Sequence, residues 1–481
     1  MSENKKNKKD NDGGFLGSLN KSEKKEKKLK IAPTSMVDNI VFSKTDAYAY
    51  YRISNDVFDF LSNDQKISLG LRTTNALNNL MANRQDPLDG HIIQTSLPFD
   101  VDAWAQQMLS VASNWKTGPR YIDFLDEQFN HLEDQQYMKK VTYIGIHLGK
   151  RGALDSSQLN FFEVGFKGAW ETIKQWLSTA AQTPSDVVSA DEEVSFRRKE
   201  KEFGIILSTG NLRAVKATTE ELLMLVKRQF HPFPMPVPYL SVDPDNRVGP
   251  GDLELESVSV IENKWRWLKI TQMIGDVEMS GYRATLSFAK FPRNMHYPVE
   301  GWPFFYFPAR LSLPVPFTLY SRFTLFPSAK IKKEVEKKRK EQKDEFENIV
   351  SGQDSFSSAT AGLPEDFAQA MEDVQEIGSI VASDKTAWIE ASYRLSVEAP
   401  DEAFLKEICA FIQQSYEDAG ITLVWTAGDQ KTLFLEQMPG DEHRMKSFKQ
   451  TTTLNMLGTS GFNFSSDIGD PTFGDPTSAK S

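Results

Sequence analysis

The residue pattern closest to a known catalytic loop is Gly474–Ser481, which reads GDPTSAKS. A nucleotide-binding loop of the form G-x-x-x-x-G-K-[ST] needs its second glycine so that the backbone can approach phosphate. It also needs a following helix whose N-terminus faces the anion. Ala479 stands where that glycine belongs, and Ser481 is the last residue. The pattern predicts no nucleotide hydrolysis by this chain. The histidines, His91, His131, His147, His231, His296 and His443, fall in neither H-x-x-x-H nor H-E-x-x-H spacing, so no zinc site is expected. The one cysteine, Cys409, excludes a disulfide framework and a cysteine zinc site. Its place in the helical pattern FLKEICAFIQQ predicts a buried packing residue. No G-x-S-x-G elbow or G-x-G-x-x-G loop is present. Gly249 and Gly251 flank a proline and read as a turn, while Asp191, Glu192 and Glu193 read as a solvated acidic loop. No catalytic, cofactor-binding or metal-binding residue is assigned.

Three aromatic segments carry interaction signals. Trp265 and Trp267 in KWRWLK alternate on one face of an expected strand, which predicts core packing. HPFPMPVPYL (231–240) reads as a rigid connector between domains or a polyproline ligand. Trp302–Phe326 places aromatics and prolines at strand-like spacing with few charges. Edge strands under another domain or a docking surface for a membrane partner both explain that segment.

The elements that must position these residues belong to an ordinary globular chain of 481 residues, 40% apolar and 25% charged. The net charge of −10 is uneven, because residues 1–30 hold ten lysines against five acids and the remainder carries −15. Such a body repels nucleic acid and anionic lipid, whereas the tail suits the cytoplasmic leaflet, with Phe15, Leu16 and Leu19 as weak apolar anchors. No run of about 18 apolar residues exists to span a membrane. The nearest, Trp302–Tyr320, contains Pro303, Pro308, Pro314, Pro316 and Arg310.

Periodicity predicts an α+β fold. NIVFSKTDAYAYYRIS reads as two strands, Asn63–Met81 as a helix, GHIIQTSLPF as a strand, residues 100–112 and 119–133 as helices, and YMKKVTYIGIHLG as a strand. That order suggests a ferredoxin-like split β-α-β unit. Thr218 and Glu221 form a capping box before LLMLVKRQF, and a β-rich middle runs from Leu253 to Phe326. Residues 330–350 and 365–381 read as a charged helical hairpin. AWIEASYRLSVEAPDEAFLKEICAFIQQSYEDAGITLVW is strand, helix, strand, with Asp401 at the cap and Gly420 at the stop. The expected division is a disordered tail (1–34), a first α+β domain (35–185), a β-rich α+β domain (186–327), the hairpin (328–384), a β-α-β unit (385–440) and a connector (441–481). No residue-level repeat is visible.

Four segments carry a family likeness: ARLSLPVPFTLYSRFTLFPSAKIKKEVEKKRKEQ (309–342), DKTAWIEASYRLSVEAPDEAFLKEICAFIQQ (384–414), DQKTLFLEQMPG (429–440) and SGFNFSSDIGDPTFG (460–474). In this order, over roughly residues 35–474, the chain resembles the N-terminal region of the traffic ATPases of conjugative type IV secretion systems. It is the Gram-positive-like form, with a lysine-rich leader in place of membrane spans. The resemblance implies a cytoplasmic scaffold, peripheral at the membrane, that binds inner-membrane channel proteins and is a homo-oligomer in its full-length form. ATP and magnesium would be held by a RecA-like motor domain beyond residue 474. No residue here matches the family's Walker A lysine and hydroxyl or its Walker B acid, so this chain is expected to hold no cofactor. Residues after about 440 are then expected to be mobile, because the surface that they would cover is absent. A motor-less adaptor of ferredoxin-like modules instead predicts an ordered C-terminus. Direct nucleic-acid binding is disfavoured, because YIGIHLG lacks the aromatics of an RNA-binding strand and the body is acidic.

Overall fold

Alternating apolar and polar side chains build the centre of the molecule, where FTLYSRFTLF and WIEASYRLSVEA run side by side. The structure, a computed structural model, describes residues 31–98, 138–151, 188–292, 297–327 and 387–465 apart from short interruptions, with a few isolated positions elsewhere. The described strands are β1 (Pro33–Val37), β2 (Ile40–Ser43), β3 (Asp46–Ile53), β4 (Asp56–Val57), β5 (Leu88–Pro98), β6 (Met138–Lys150), β7 (Val215–Lys216) and β8 (Arg247–Val248). They continue with β9 (Val260–Asn263), β10 (Leu268–Ile274), β11 (Val277–Lys290), β12 (Phe317–Phe326), β13 (Trp388–Ala399), β14 (Thr422–Val424), β15 (Gln450–Thr453) and β16 (Phe464–Ser465). The longer helices are α1 (Asn63–Asn79), α2 (Ala190–Thr209), α3 (Thr219–Lys227) and α4 (Glu402–Asp418), followed by the short α5 (Gln430–Glu436) and α6 (Leu454–Gly458).

One sheet runs β8-β1-β2-β3-β6-β5-β12-β13-β11-β10-β9, and neighbouring strands are antiparallel throughout. The α+β class is as expected. Odd-numbered residues of β13, from Ile389 to Val397, join the apolar core together with Leu405, Ile408, Cys409, Ile412 and Tyr416 of α4. Each such aliphatic side chain contributes about 1.5–3 kcal/mol when fully buried. The Asp401 side chain caps α4 by accepting from the Phe404 amide at 2.8 Å, and Gly420 ends it at φ 78°. The Thr218–Glu221 capping box of α3 forms as expected.

The strand order is a palindrome. β2-β3-β6-β5 is mirrored by β10-β11-β13-β12, and β5 and β12 meet at the centre, with Ile93 opposite Tyr320 and Ile92 opposite Ser321. In the first half Tyr51 of β3 lies between Ile144 of β6 and Lys216 of β7. In the second half β11 lies likewise between β13 and β14, with Leu286 opposite Leu395 and Phe288 opposite Leu423 on the face that packs on α4. The buried positions Phe196, Glu200, Phe203 and Leu207 of α2 have the same 4-3-4 spacing as Leu405, Cys409, Ile412 and Tyr416 of α4. The chain is thus an internal repeat about a pseudo-twofold axis between β5 and β12. Each half holds a split β-α-β unit, β6-α2-β7 around β3 and β13-α4-β14 around β11.

This arrangement corrects several expectations. The strands at 88–98 and 138–150 pair directly and antiparallel, so they are not the first split β-α-β unit. Parallel strands flanking a third are what that motif requires, and β6 and β7 supply them instead. Residues 32–481 group as one compact unit, and strands from 35–185, 186–327 and 385–440 interleave in one sheet, so those boundaries separate no independent sheets. Residues 441–465, expected to be mobile, pack into the compact unit instead: Asp441, Leu454, Leu457, Phe462 and Phe464 are buried, and β15 pairs with β13. The tail (1–30), the helices at 100–112 and 119–133, the charged hairpin and residues 466–481 lie outside the described residues.

Candidate functional site

The even-numbered residues of β12 and β13 face away from the apolar core, and there Thr318, Tyr320, Arg322, Ser392, Arg394, Ser396 and Glu398 are nevertheless buried. Two cover segments close over them. One is α3 with its one-turn extension Arg228–Phe230, and the other is α5 with the chain that follows it to residue 449. Charge buried in this way is stable only when hydrogen-bonded and paired.

Under the second cover, Arg322 donates from Nε and Nη2 to the Glu436 carbonyl at 3.0 and 2.7 Å and from Nη2 to the Met438 carbonyl at 2.8 Å. Arg394 donates to the carbonyls of Ser447 at 2.9 Å and Met445 at 3.4 Å, and its Nε lies 4.0 Å from the Glu436 carboxylate. Glu436 in turn accepts from the Met445 amide at 2.7 Å. His443 shares a 2.9 Å hydrogen bond with Ser392, and Lys449 pairs with Glu390. Under the first cover, Arg228 donates to Thr95 Oγ1 at 2.6 Å, and Arg283 pairs with Glu398 at 2.7 Å and reaches the Gln229 carbonyl.

The covers cross at the pseudo-axis. Gln437 of the second donates to Gln229 of the first, and Phe230 meets Phe434 edge-on at 5.5 Å. The first cover thereby ends over β11 and β13 of the second half. The second reaches β3, where the Gly440 amide donates to Tyr50 Oη at 2.9 Å, before it returns to β13.

Burial dominates the electrostatics. It raises the Glu436 and Asp441 carboxyls, against the opposing pull of Arg394 on the first and Arg444 on the second. It lowers the Arg283 and Arg394 guanidiniums and drives His91 well below the ordinary imidazole range. His443 is pushed down to about 3 by burial and by Lys449, Arg322 and Arg394. Perturbed groups of this kind cluster at catalytic sites and in structural ion-pair networks alike. Arg322 and Arg394 give most of their donated hydrogen bonds to cover-segment carbonyls, while Arg322 Nη1 and Arg394 Nε have no hydrogen-bond partner among the described residues, so the arrangement clamps backbone.

The structure brings two of the six histidines, His91 and His443, to this polar face. His147 instead bonds Asp46 at 2.8 Å, His231 is half-buried, and His131 and His296 lie outside the described residues. Among the described residues no group of three or more His, Cys, Asp or Glu is placed to hold a metal. Gly249 opens a turn by donating to Asp252 at 2.7 Å, as expected. Asp191–Glu193 form the first turn of α2, where carboxylates favour the helix dipole, and not a loop. Cys409 is buried with its thiol pushed up to about 12, a packing residue as expected.

Trp265 sits in the β9–β10 turn at φ 73°, 69% exposed, whereas Trp267 packs against the core. Both tryptophans lie in the turn between Asn263 and Leu268, so the strand alternation expected for them does not apply. Phe304–Phe307 are buried and β12 is a central strand, so the described aromatics of this segment form neither an edge strand nor an exposed docking surface. Most of 231–240 lies outside the described residues.

The sequence reading missed Arg322, Arg394, Arg283, Glu398 and Glu436. The available signal was a lone arginine at an alternating position inside the apolar strands YSRFTLF and SYRLSV. No protein-family model matches this sequence, and no curated protein matches it.

Proposed function

We propose that this chain is the N-terminal scaffold region of a conjugative type IV secretion ATPase. In that role it docks to inner-membrane channel proteins at the cytoplasmic face while a RecA-like motor elsewhere hydrolyses ATP. One observation supports the reading. Three of the segments that carry the family resemblance converge on one buried node, β12 through Arg322, β13 through Arg394 and the LEQMPG turn through Glu436 and Met438. A scaffold needs such a fixed geometry, and the clamp holds residues 436–447 rigidly on the sheet. No described helix is long and apolar enough to cross a membrane, which accords with a peripheral attachment. The test is deletion of the gene in its own cell. Conjugative DNA transfer is expected to fall by orders of magnitude and to return with the intact gene, and unchanged transfer overturns the proposal.

A second reading, a motor-less adaptor, is favoured by the packing of residues 441–465. It predicts that a chain ending at Ser481 restores full function by itself, whereas the ATPase reading predicts restoration only together with a nucleotide-hydrolysing domain.

A further inference from the structure

The internal repeat supplies its own control for what the fold requires. Between α2 and β7 of the first half lies an open cleft of about 550 Å³, lined by Tyr51, Arg197, Glu200, Lys201, Gly204 and Lys216 among others. The 4-3-4 burial spacing places Lys406, Cys409, Ala410 and Gln413 of α4 at the positions of Arg197, Glu200, Lys201 and Gly204, and the strand residues facing α4 are Phe288 of β11 and Leu423 of β14. There the gap is closed, because Gln413 spans from α4 and donates to the Leu423 carbonyl of β14 at 2.9 Å. In the first half the counterpart is Gly204, which lines the cleft beside Tyr51 and carries no side chain to bridge to β7. Where the second half buries the apolar Cys409 and Leu423, the first half has the ion pair Glu200–Lys216, at 2.9 Å. Glu200 is further held by Asn39 and Tyr51, so its charge is satisfied within the floor. Lys201 stands exposed on the rim with no ion-pair partner among the described residues, where the second half has alanine. Of the cations on the cleft, Arg197 pairs with Asp38 and Glu193 and Lys216 with Glu200, which leaves Lys201 to face an incoming carboxylate with Lys216 beside it. β7 pairs with no described strand besides β3.

We propose that this cleft binds an extended acidic peptide segment of a partner protein, laid between α2 and the edge of β7 with carboxylates on Lys201 and Lys216. A helix beside a strand edge is a recurrent frame for extended peptides, and the rim charge selects acidic ones. The cleft volume is within the range of built ligand sites, roughly 300–1,000 Å³. The inference stands on the repeat and not on the family reading.

The test is fluorescence anisotropy on the full chain. The probe is a fluorescein-labelled nonapeptide of alternating glutamate and valine, and the control alternates lysine and valine. The acidic probe should bind saturably and the basic one should not. Lys201→Glu should weaken binding by about tenfold or more, near 1.4 kcal/mol, with unchanged thermal unfolding. Gly204→Gln, which copies the closed half, should abolish binding; a Cβ there meets the buried Tyr51 ring at 3.3 Å, so the variant counts only if its thermal unfolding matches the wild type. Lack of saturable binding, equal binding of both probes, or wild-type affinity in both variants overturns the proposal. So does attachment to anionic vesicles in place of the peptide.

Discussion

Replacing Arg394 by methionine tests the clamp where its energetics are sharpest. Methionine matches the length of the aliphatic stem but removes the donors to Ser447 and Met445 and the partner of Glu436. Both charged side chains are fully buried, so the variant leaves a carboxyl group in low dielectric without its counter-charge. Removing one member of a buried pair costs about 3–5 kcal/mol, whereas replacing both members is often neutral. Arg394→Met should therefore destabilise by about 3–5 kcal/mol, and Arg394→Met with Glu436→Gln should recover at least ~1–2 kcal/mol of that loss. Guanidinium unfolding followed by tryptophan fluorescence measures both, read as midpoint shifts at constant slope. A single-variant loss below about 1 kcal/mol, or a double variant as unstable as the single, would refute the claim that this node carries a coupled buried charge.

Three further outcomes follow from the same packing. Burial and three nearby cations hold the folded-state His443 near 3, below its ordinary 6.5, so the folded state binds fewer protons and stability falls as pH drops through that interval. Glu436 and Asp441, whose carboxyls are raised, pull the other way, so the readout is the difference between wild type and His443→Gln. The wild type should lose on the order of 2–4 kcal/mol relative to that variant between pH 7 and 4, and parallel pH profiles would exclude the mechanism. Gly90→Ala should cost about 1–3 kcal/mol in denaturant unfolding, because the new Cβ would lie 2.1 Å from Cζ of Phe323 on the neighbouring strand. Cys409, fully buried with a raised thiol, should resist a thiol-specific disulfide reagent in the folded protein and react on unfolding.

Elements defined by local chemistry were legible in the sequence. β6, β13 and α4 follow from alternation, the Asp401 cap and the Gly420 stop, because those signals depend on neighbours in the chain. Pairing was less legible. Residues between β5 and β6 suggested a crossover to a parallel strand, yet the two strands are antiparallel neighbours. The polar face was hidden for a related reason. Period-two alternation in SYRLSV reads as a sheet with one solvated side, and nothing local announces that distant residues 228–230 and 436–447 cover Arg394 and Glu398. The repeat escaped notice because corresponding positions carry unlike residues, Glu200 against Cys409 and Gly204 against Gln413. Burial spacing and register are kept where identity is not.

Hydrogen exchange of the full chain, resolved by mass spectrometry, tests most directly whether the two halves are sealed by their crossed covers. Residues 436–447 and the β5–β12 pair should exchange slowly and together, at the level of the whole sheet. Exchange of 436–447 within seconds while β12 and β13 stay protected would contradict the clamp.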